Sequence, residues 1–302
     1  MTVTPTAVAP AAATAGPSPR AAALRILLRN RLAVAALAVL AIMLILAVLA
    51  PLIAPYDPNT QDLLLRLEPP AWQSGGSGAH LLGTDQLGRD MLSRVIYGTR
   101  VSLLVGAGAA LLAGVIGTAA GLVSGYYGGG PDRVLMRIAD VQLAFPAILL
   151  ALAIVGFLGS GLWYVILVLG FTGWVSYARV VRSEVMSLRS RDFITEARAI
   201  GVTDRVIMRR HLLPNVMAPL ATIATLHVAA AIVAEASLSY LGLGVPKETV
   251  TWGSMLADGQ LYLGTSWWVA VFPGIALMIT SLAVNITGDA LRDVADPKAY
   301  RR

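Results

Sequence analysis

Five windows without a single charged side chain, residues 32–56, 101–131, 141–178, 212–234 and 259–288, fix what this sequence can fold into. A helix crossing the hydrocarbon core of a bilayer needs about 20 largely apolar residues, so four of the windows hold one span each. The window 141–178 is too short for two full spans and a turn, yet GFLGSG at residues 156–161 breaks it in the middle. A tight helical hairpin, its arms reaching back to about Arg137 and forward to about Arg179, meets both constraints. The second window ends in GYYGGG followed by Pro131, a helix stop. The fourth window, 212–234, makes the fifth span and contains Pro214 and Pro219; the last window makes the sixth span, entered through Trp267, Trp268 and Pro273. The expectation is an all-α polytopic membrane protein of about six transmembrane helices.

Only 13% of the residues are charged against 57% apolar, which excludes a soluble enzyme. The first window reads as a retained helix, not a cleaved signal. Its apolar core is too long for a signal h-region, and residues 1–24 before it form a low-complexity, disordered tail. Residues 25–100 then comprise the first span and a long connection. Residues 101–291 form the core domain, and residues 292–302 a second tail.

An even number of spans leaves both ends on one side, and the distribution of Lys and Arg tells which. With the N-terminus cytoplasmic, all but Arg66, Arg89, Arg94, Arg100 and Lys247 of the 23 Lys and Arg residues lie inside; eight of these occupy the connection between Arg179 and Arg210. Both termini are therefore expected in the cytoplasm. The same asymmetry explains the formal net charge of +6, so nothing is left to point to nucleic acid.

Cysteine is absent, which removes thiolate and Cys-ligated metal chemistry. His80, His211 and His227 are too dispersed for a metal site and read as structural. A phosphate-binding loop needs Lys followed by Ser or Thr, but the two lysines precede Glu248 and Ala299. The chain is thus expected to bind no cofactor and hydrolyse no nucleotide. An ion-coupled carrier would place carboxylates deep within its spans. Asp140, Glu235, Asp258 and Asp289 fall instead at expected span ends, where capping or pairing with Arg is the plain reading. No clustered nucleophile and base marks a hydrolase.

The connection 182–215 is far longer than a hairpin needs. Phe193, Ala197 and Ile200 form an apolar stripe at i, i+4 and i+7, while Arg191, Asp192, Glu196 and Arg198 lie elsewhere around the helix. Gly201 suits a left-handed cap, and Thr203 or Asp204 can start a second helix that stops near Pro214. Such a helix can lie on anionic lipid or dock in a groove of another protein; periodicity leaves both open.

The run Phe193, Ile194, Thr195, Glu196, Ala197, Arg198, Ala199, Ile200, Gly201, followed by His211, Leu212, Leu213, Pro214 and Asn215, resembles the EAA-type loop of permease subunits in bacterial ABC importers. With GTDQLGRD at 83–90, EASLSYLGLG at 235–244 and GDALRD at 288–293, the chain from about residue 25 onward looks like the C-type subunit of dipeptide, oligopeptide and nickel permeases. The resemblance implies a type I importer (MetI-like) permease fold in the bacterial inner membrane, and a pathway formed with a homologous B-type permease. It also implies two ATPase subunits, which bind ATP and Mg and each receive one loop helix, and an extracytoplasmic solute-binding protein. Short peptides would be the cargo, with nickel or another small solute as the alternative for the same machine. In one respect the chain departs from the family pattern: the position usually held by Glu is Thr195, and Glu196 follows it.

On this reading Ala197→Arg and Gly201→Asp uncouple ATP hydrolysis from uptake. Gly117, Gly121 and Gly125, at i, i+4 and i+8, allow close approach of another helix, either from the sister permease or from the same chain. Tyr240, Trp252, Tyr262, Trp267 and Trp268 suit an interfacial belt. The connection before residue 97 is a docking surface for the binding protein or a solvated loop whose LGTD and GRD pieces are turns and caps.

Overall fold

The computed structural model describes residues 30–246 and 248–295. The expected tail 1–24, Lys247 and residues 296–302 lie outside the described residues. Within them every extended regular element is helical, and the strand-like pairing is an isolated bridge between Thr84 and Asp90. Helix α1 (Arg31–Ile53) is capped by Asn30, whose side chain accepts from the Leu32 and Ala33 amides at 3.1 and 3.2 Å. Helix α2 (Met91–Tyr127) is capped by Asp90, whose Oδ2 accepts from the Ser93 amide at 2.7 Å. At 1.5 Å per residue α2 is about 55 Å long, more than the bilayer core requires.

Among the described residues five helices are long and apolar enough to span, and a bent pair can supply a sixth. That pair replaces the first arm of the expected hairpin. Helix α3 (Gly129–Leu143) and helix α4 (Ala147–Leu158) meet at 88°, so the arm is not continuous. The cause is Pro146, which disfavours helical backbone at Phe145 before it and occupies the cap of α4. The turn itself lies where GFLGSG placed it, with Gly159 at φ +90. Helix α5 (Leu162–Arg189) is the full-length second arm.

Charge-free windows also misplace several ends. Helix α2 begins ten residues before the window does: Arg100, which bounds the window, is an exposed residue of the helix, and Arg94 a turn and a half earlier is buried against Asp85 and Asp258 at 3.5 and 3.9 Å. Residues Leu213–Tyr240 form helix α7, which absorbs Glu235. That carboxylate is fully buried and accepts from Ser239 Oγ at 2.7 Å and Ser102 Oγ at 3.4 Å, so it is neither an interfacial cap nor an Arg partner. Residues Trp252–Gly259 form a separate helix α8, and the last span is α9 (Trp268–Ala295), which continues past residue 292 where a tail was expected. Asp140 does pair with Arg179, at 2.7 Å.

The two ends of the bundle are built differently. At one, the connection 54–90 is exposed over most of residues 55–66 and packs as a cap from His80 on, where the LGTD and GRD pieces form turns and Asp90 caps α2 as expected. Arg89 Nε donates to Asp85 at 2.6 Å, His80 Nδ1 lies 2.9 Å from Asp90, and all four side chains are buried. The tryptophans expected in an interfacial belt are partly enclosed here: Trp252 and Trp268 are buried, donating through Nε1 to the carbonyls of Val95 and Thr84, each at 3.0 Å. Polar indoles enter a core when the ring nitrogen finds such a partner. The other end carries the loop.

Helices α2 and α5 form the most extensive contact in the fold. Gly117, Gly121 and Gly125 make it, so their close-packing partner is α5 of the same chain and not a sister permease. A Cβ on Gly121 would lie 2.6 Å from the Ala178 carbonyl oxygen, and one on Gly125 2.8 Å from that of Arg182. On Gly117 it would collide with the Trp174 carbonyl and with Tyr177. Close backbone approach of this kind is how helices associate where lipid removes the hydrophobic drive.

Candidate coupling interface

Beyond α5 the chain turns at Ser190 and Arg191 into helix α6 (Asp192–Ala199). Asp192 stands in its first turn and Arg198 in its last, both favourable to the helix dipole. Gly201, at φ +81, ends it: the Gly201 amide donates to the Arg198 carbonyl and the Val202 amide to the Ala197 carbonyl, both at 3.0 Å. This is the left-handed cap anticipated from the sequence.

The second helix starts at Asp204 with Thr203 in the capping position, although the Thr203 side chain makes no capping bond. It does not stop at Pro214. A π-wound turn, Ile207–Leu212, runs directly into α7, with Pro214 in the first turn of that helix. Widening the helix just ahead of Pro214 accommodates its missing amide without breaking the rod. The carbonyl of His211, in the same turn, accepts from Asn215 Nδ2 at 2.5 Å.

The apolar stripe is divided between two faces. Ile194 and Ala197 are buried against Ile207, Leu212 and Val216, anchoring α6 to the bundle. Phe193 and Ile200 point away, 38% and 81% exposed, with Thr195, Glu196, Arg198 and Ala199 also exposed. The outward face therefore reads Phe193, Glu196, Ile200 at i, i+3 and i+7. Ile194 was missed in the sequence because two overlapping apolar sets, 193/197/200 and 194/197, fit one short helix equally well.

This division reassigns the two expected variants. Ala197→Arg would force a charge into the loop's own packing and detach α6, so it tests folding more than docking. Gly201→Asp places its Cβ in open space but keeps a left-handed backbone. A penalty of about 1–2 kcal/mol follows, and limited proteolysis of membranes should find the 200–204 segment cleaved faster in Gly201→Asp than in the parent.

Three comparisons bear on this arrangement. Residues 117–301 match the family described as binding-protein-dependent transport system inner membrane component, and residues 18–70 match the N-terminal transmembrane domain of oligopeptide transport permease C. Similar curated proteins include a di/tripeptide transport system permease protein of Pseudomonas aeruginosa, 40% identical over 93% of each chain. The dipeptide transport system permease protein of Escherichia coli is 44% identical over 89% of this chain and 90% of its own. A glutathione transport system permease protein of Pectobacterium atrosepticum is 39% identical over 91% and 89%. Among solved structures, a chain from inward-facing conformations of the MetNI methionine ABC transporter aligns with TM-score 0.55 at 22% identity, covering 68% of this chain and 97% of that one; this likeness shows the fold. With a family match across most of its core and relatives at this identity along nearly its whole length, the chain belongs to the binding-protein-dependent transport system inner membrane components, the permease subunits of ABC importers.

Proposed function

We propose that this permease carries short peptides across the bacterial inner membrane, and that α6 is the element by which separate ATPase subunits drive it. The printed names of the relatives above, dipeptide, di/tripeptide and glutathione permeases, support the cargo class. One observation carries the coupling role: a short helix anchored inward by Ile194 and Ala197 presents Phe193 and Ile200, apolar and exposed, on its far side. An amphipathic helix that offers apolar side chains on one exposed face is the form that a groove on a partner protein recognises.

In this reading the chain pairs with a homologous B-type permease around a shared pathway, and each of two ATPase subunits seats one loop helix in a groove. ATP and Mg bind in those subunits, not here. An extracytoplasmic solute-binding protein delivers cargo to the end built from the folded cap, and both termini are cytoplasmic. When ATP closes the ATPase dimer, the seated helices are carried together and the bundle changes from inward to outward opening. Coupling then requires that both sites bias the same two-state element.

The test is transport in vesicles reconstituted with the chain alone or with its candidate partners. Uptake of a labelled dipeptide that needs ATP and all partners supports the reading. Uptake by the chain alone, driven by an ion gradient, overturns it and favours a secondary carrier.

A further inference from the structure

One side chain on α2 reaches both helices of the loop. Tyr126, in the last turn of α2, is buried, and its hydroxyl donates to Asp204 Oδ1 at 2.6 Å. Arg198 of α6 lays its guanidinium 4.8 Å from the centre of the same ring, and its Nε donates to the phenolic oxygen at 3.3 Å. From the end of α5, Arg189 Nη1 donates to the Tyr126 carbonyl at 2.8 Å. A single residue thus joins α2, α5, α6 and the start of the helix leading into α7.

The apolar contacts of Ile194 and Ala197 resist compression of α6 against the bundle but are non-directional and permit sliding. Hydrogen bonds and a stacked cation have defined geometry and resist shear. Behind Tyr126, α2 is fused to α5 by the three glycines, so a displacement that reaches Tyr126 moves both helices. We propose that Tyr126 is the positioning residue that passes movement of α6 into the α2–α5 pair, making the three one rigid body during the transport cycle. This rests on the coupling role of α6 proposed above.

The experiment uses the reconstituted complex with spin labels on Thr195→Cys, exposed on α6 outside the docking set Phe193, Glu196 and Ile200, and on Leu111→Cys, an exposed α2 site, and measures their distance with and without ATP. In the parent the distance distribution stays the same in both states. Tyr126→Phe keeps the ring and the Arg198 stacking but loses both hydroxyl bonds, and the distribution then broadens or shifts with ATP. Dialanine taken up per ATP hydrolysed falls about fivefold, the factor expected for roughly one net hydrogen bond. Asp204→Asn retains an acceptor oxygen and stays within about twofold of the parent on the same ground. Asp204→Ala, which removes only the hydroxyl–carboxylate bond, lowers the ratio no further than Tyr126→Phe, and the double variant is no worse than Tyr126→Phe alone, as a shared interaction requires.

A parent distance that changes with ATP, or Tyr126→Phe matching the parent in distance, overturns the proposal. So does a loss of assembled complex and hydrolysis together at constant uptake per ATP, the pattern of a merely structural residue. Crosslinking of Ile200→Cys to the ATPase separates the two claims: its absence in the parent removes the coupling reading, whereas its presence with an unaltered Tyr126→Phe removes only the tie.

Discussion

Phe193→Asp combined with Ile200→Asp is expected to reduce ATP-driven uptake at least tenfold while the chain accumulates in membranes at parental levels. Both side chains lie on the outward face of α6; Ile200 is 81% exposed and packs little against the bundle, and Phe193→Asp alone, with Phe193 38% exposed, controls for the packing that its covered part supplies. Full burial of a Phe or Ile side chain in a partner contributes about 1.5–3 kcal/mol each. Removing both, and placing carboxylates in a groove built for apolar groups, weakens docking by more than the 1.4 kcal/mol that corresponds to a factor of ten. ATP hydrolysis by the ATPase subunits persists without transport. Glu196, between the two positions, is the internal comparison: Glu196→Gln removes a charge but keeps the apolar pair, and the effect should be smaller. Parental uptake by the double variant would show that this face meets no partner.

Gly121→Leu is expected to have the opposite profile, with loss of the folded chain itself. A Cβ there already lies 2.6 Å from both the Ala178 carbonyl oxygen and Val181 Cβ, and backbone on the α5 side cannot rotate aside. Overpacking a tight contact costs typically 1–3 kcal/mol and more when backbone must move; here α2 and α5 must separate along their most extensive contact. The checks are the amount of chain in membranes and the aggregation temperature in detergent. Gly130→Ala is the control, because a Cβ at that position meets nothing within 4 Å. If Gly121→Leu behaves like Gly130→Ala, the helices are not held by close approach at these glycines.

The span count and the helical class were legible in the sequence because lipid imposes a length and an absence of charge on each crossing segment. The Gly201 cap was legible too, since few residues adopt the left-handed conformation. Three features were hidden for identifiable reasons. Arg100 and Glu235 made helix ends look closer than they are: an exposed Arg can sit on a helix that continues past it, and a carboxylate satisfied by Ser102 and Ser239 can be enclosed within one. The glycine spacing signals close approach without saying to which helix, and only the fold identifies α5. Pro146 and Pro214 look alike in sequence, yet one separates two helices at 88° and the other follows a π-wound turn without a break.

The loop shows the same division. Its two-helix form followed from periodicity and Gly201, but its faces did not, since an eight-residue helix with apolar residues at 193, 194, 197 and 200 has no unique inward side. Packing against Ile207 and Leu212 selects Ile194 and Ala197. The residues left outside, Phe193 and Ile200, are then the ones that a partner can read.

Because the sequence contains no cysteine, single thiols can be introduced without background. The decisive measurement is crosslinking of Ile200→Cys, with Ile194→Cys as the inward control, in membranes containing the complete transporter. Docking predicts an adduct between position 200 and an ATPase subunit, and none from position 194. Reaction of position 200 with lipid-borne reagents alone, with no ATPase adduct in any nucleotide state, would contradict it.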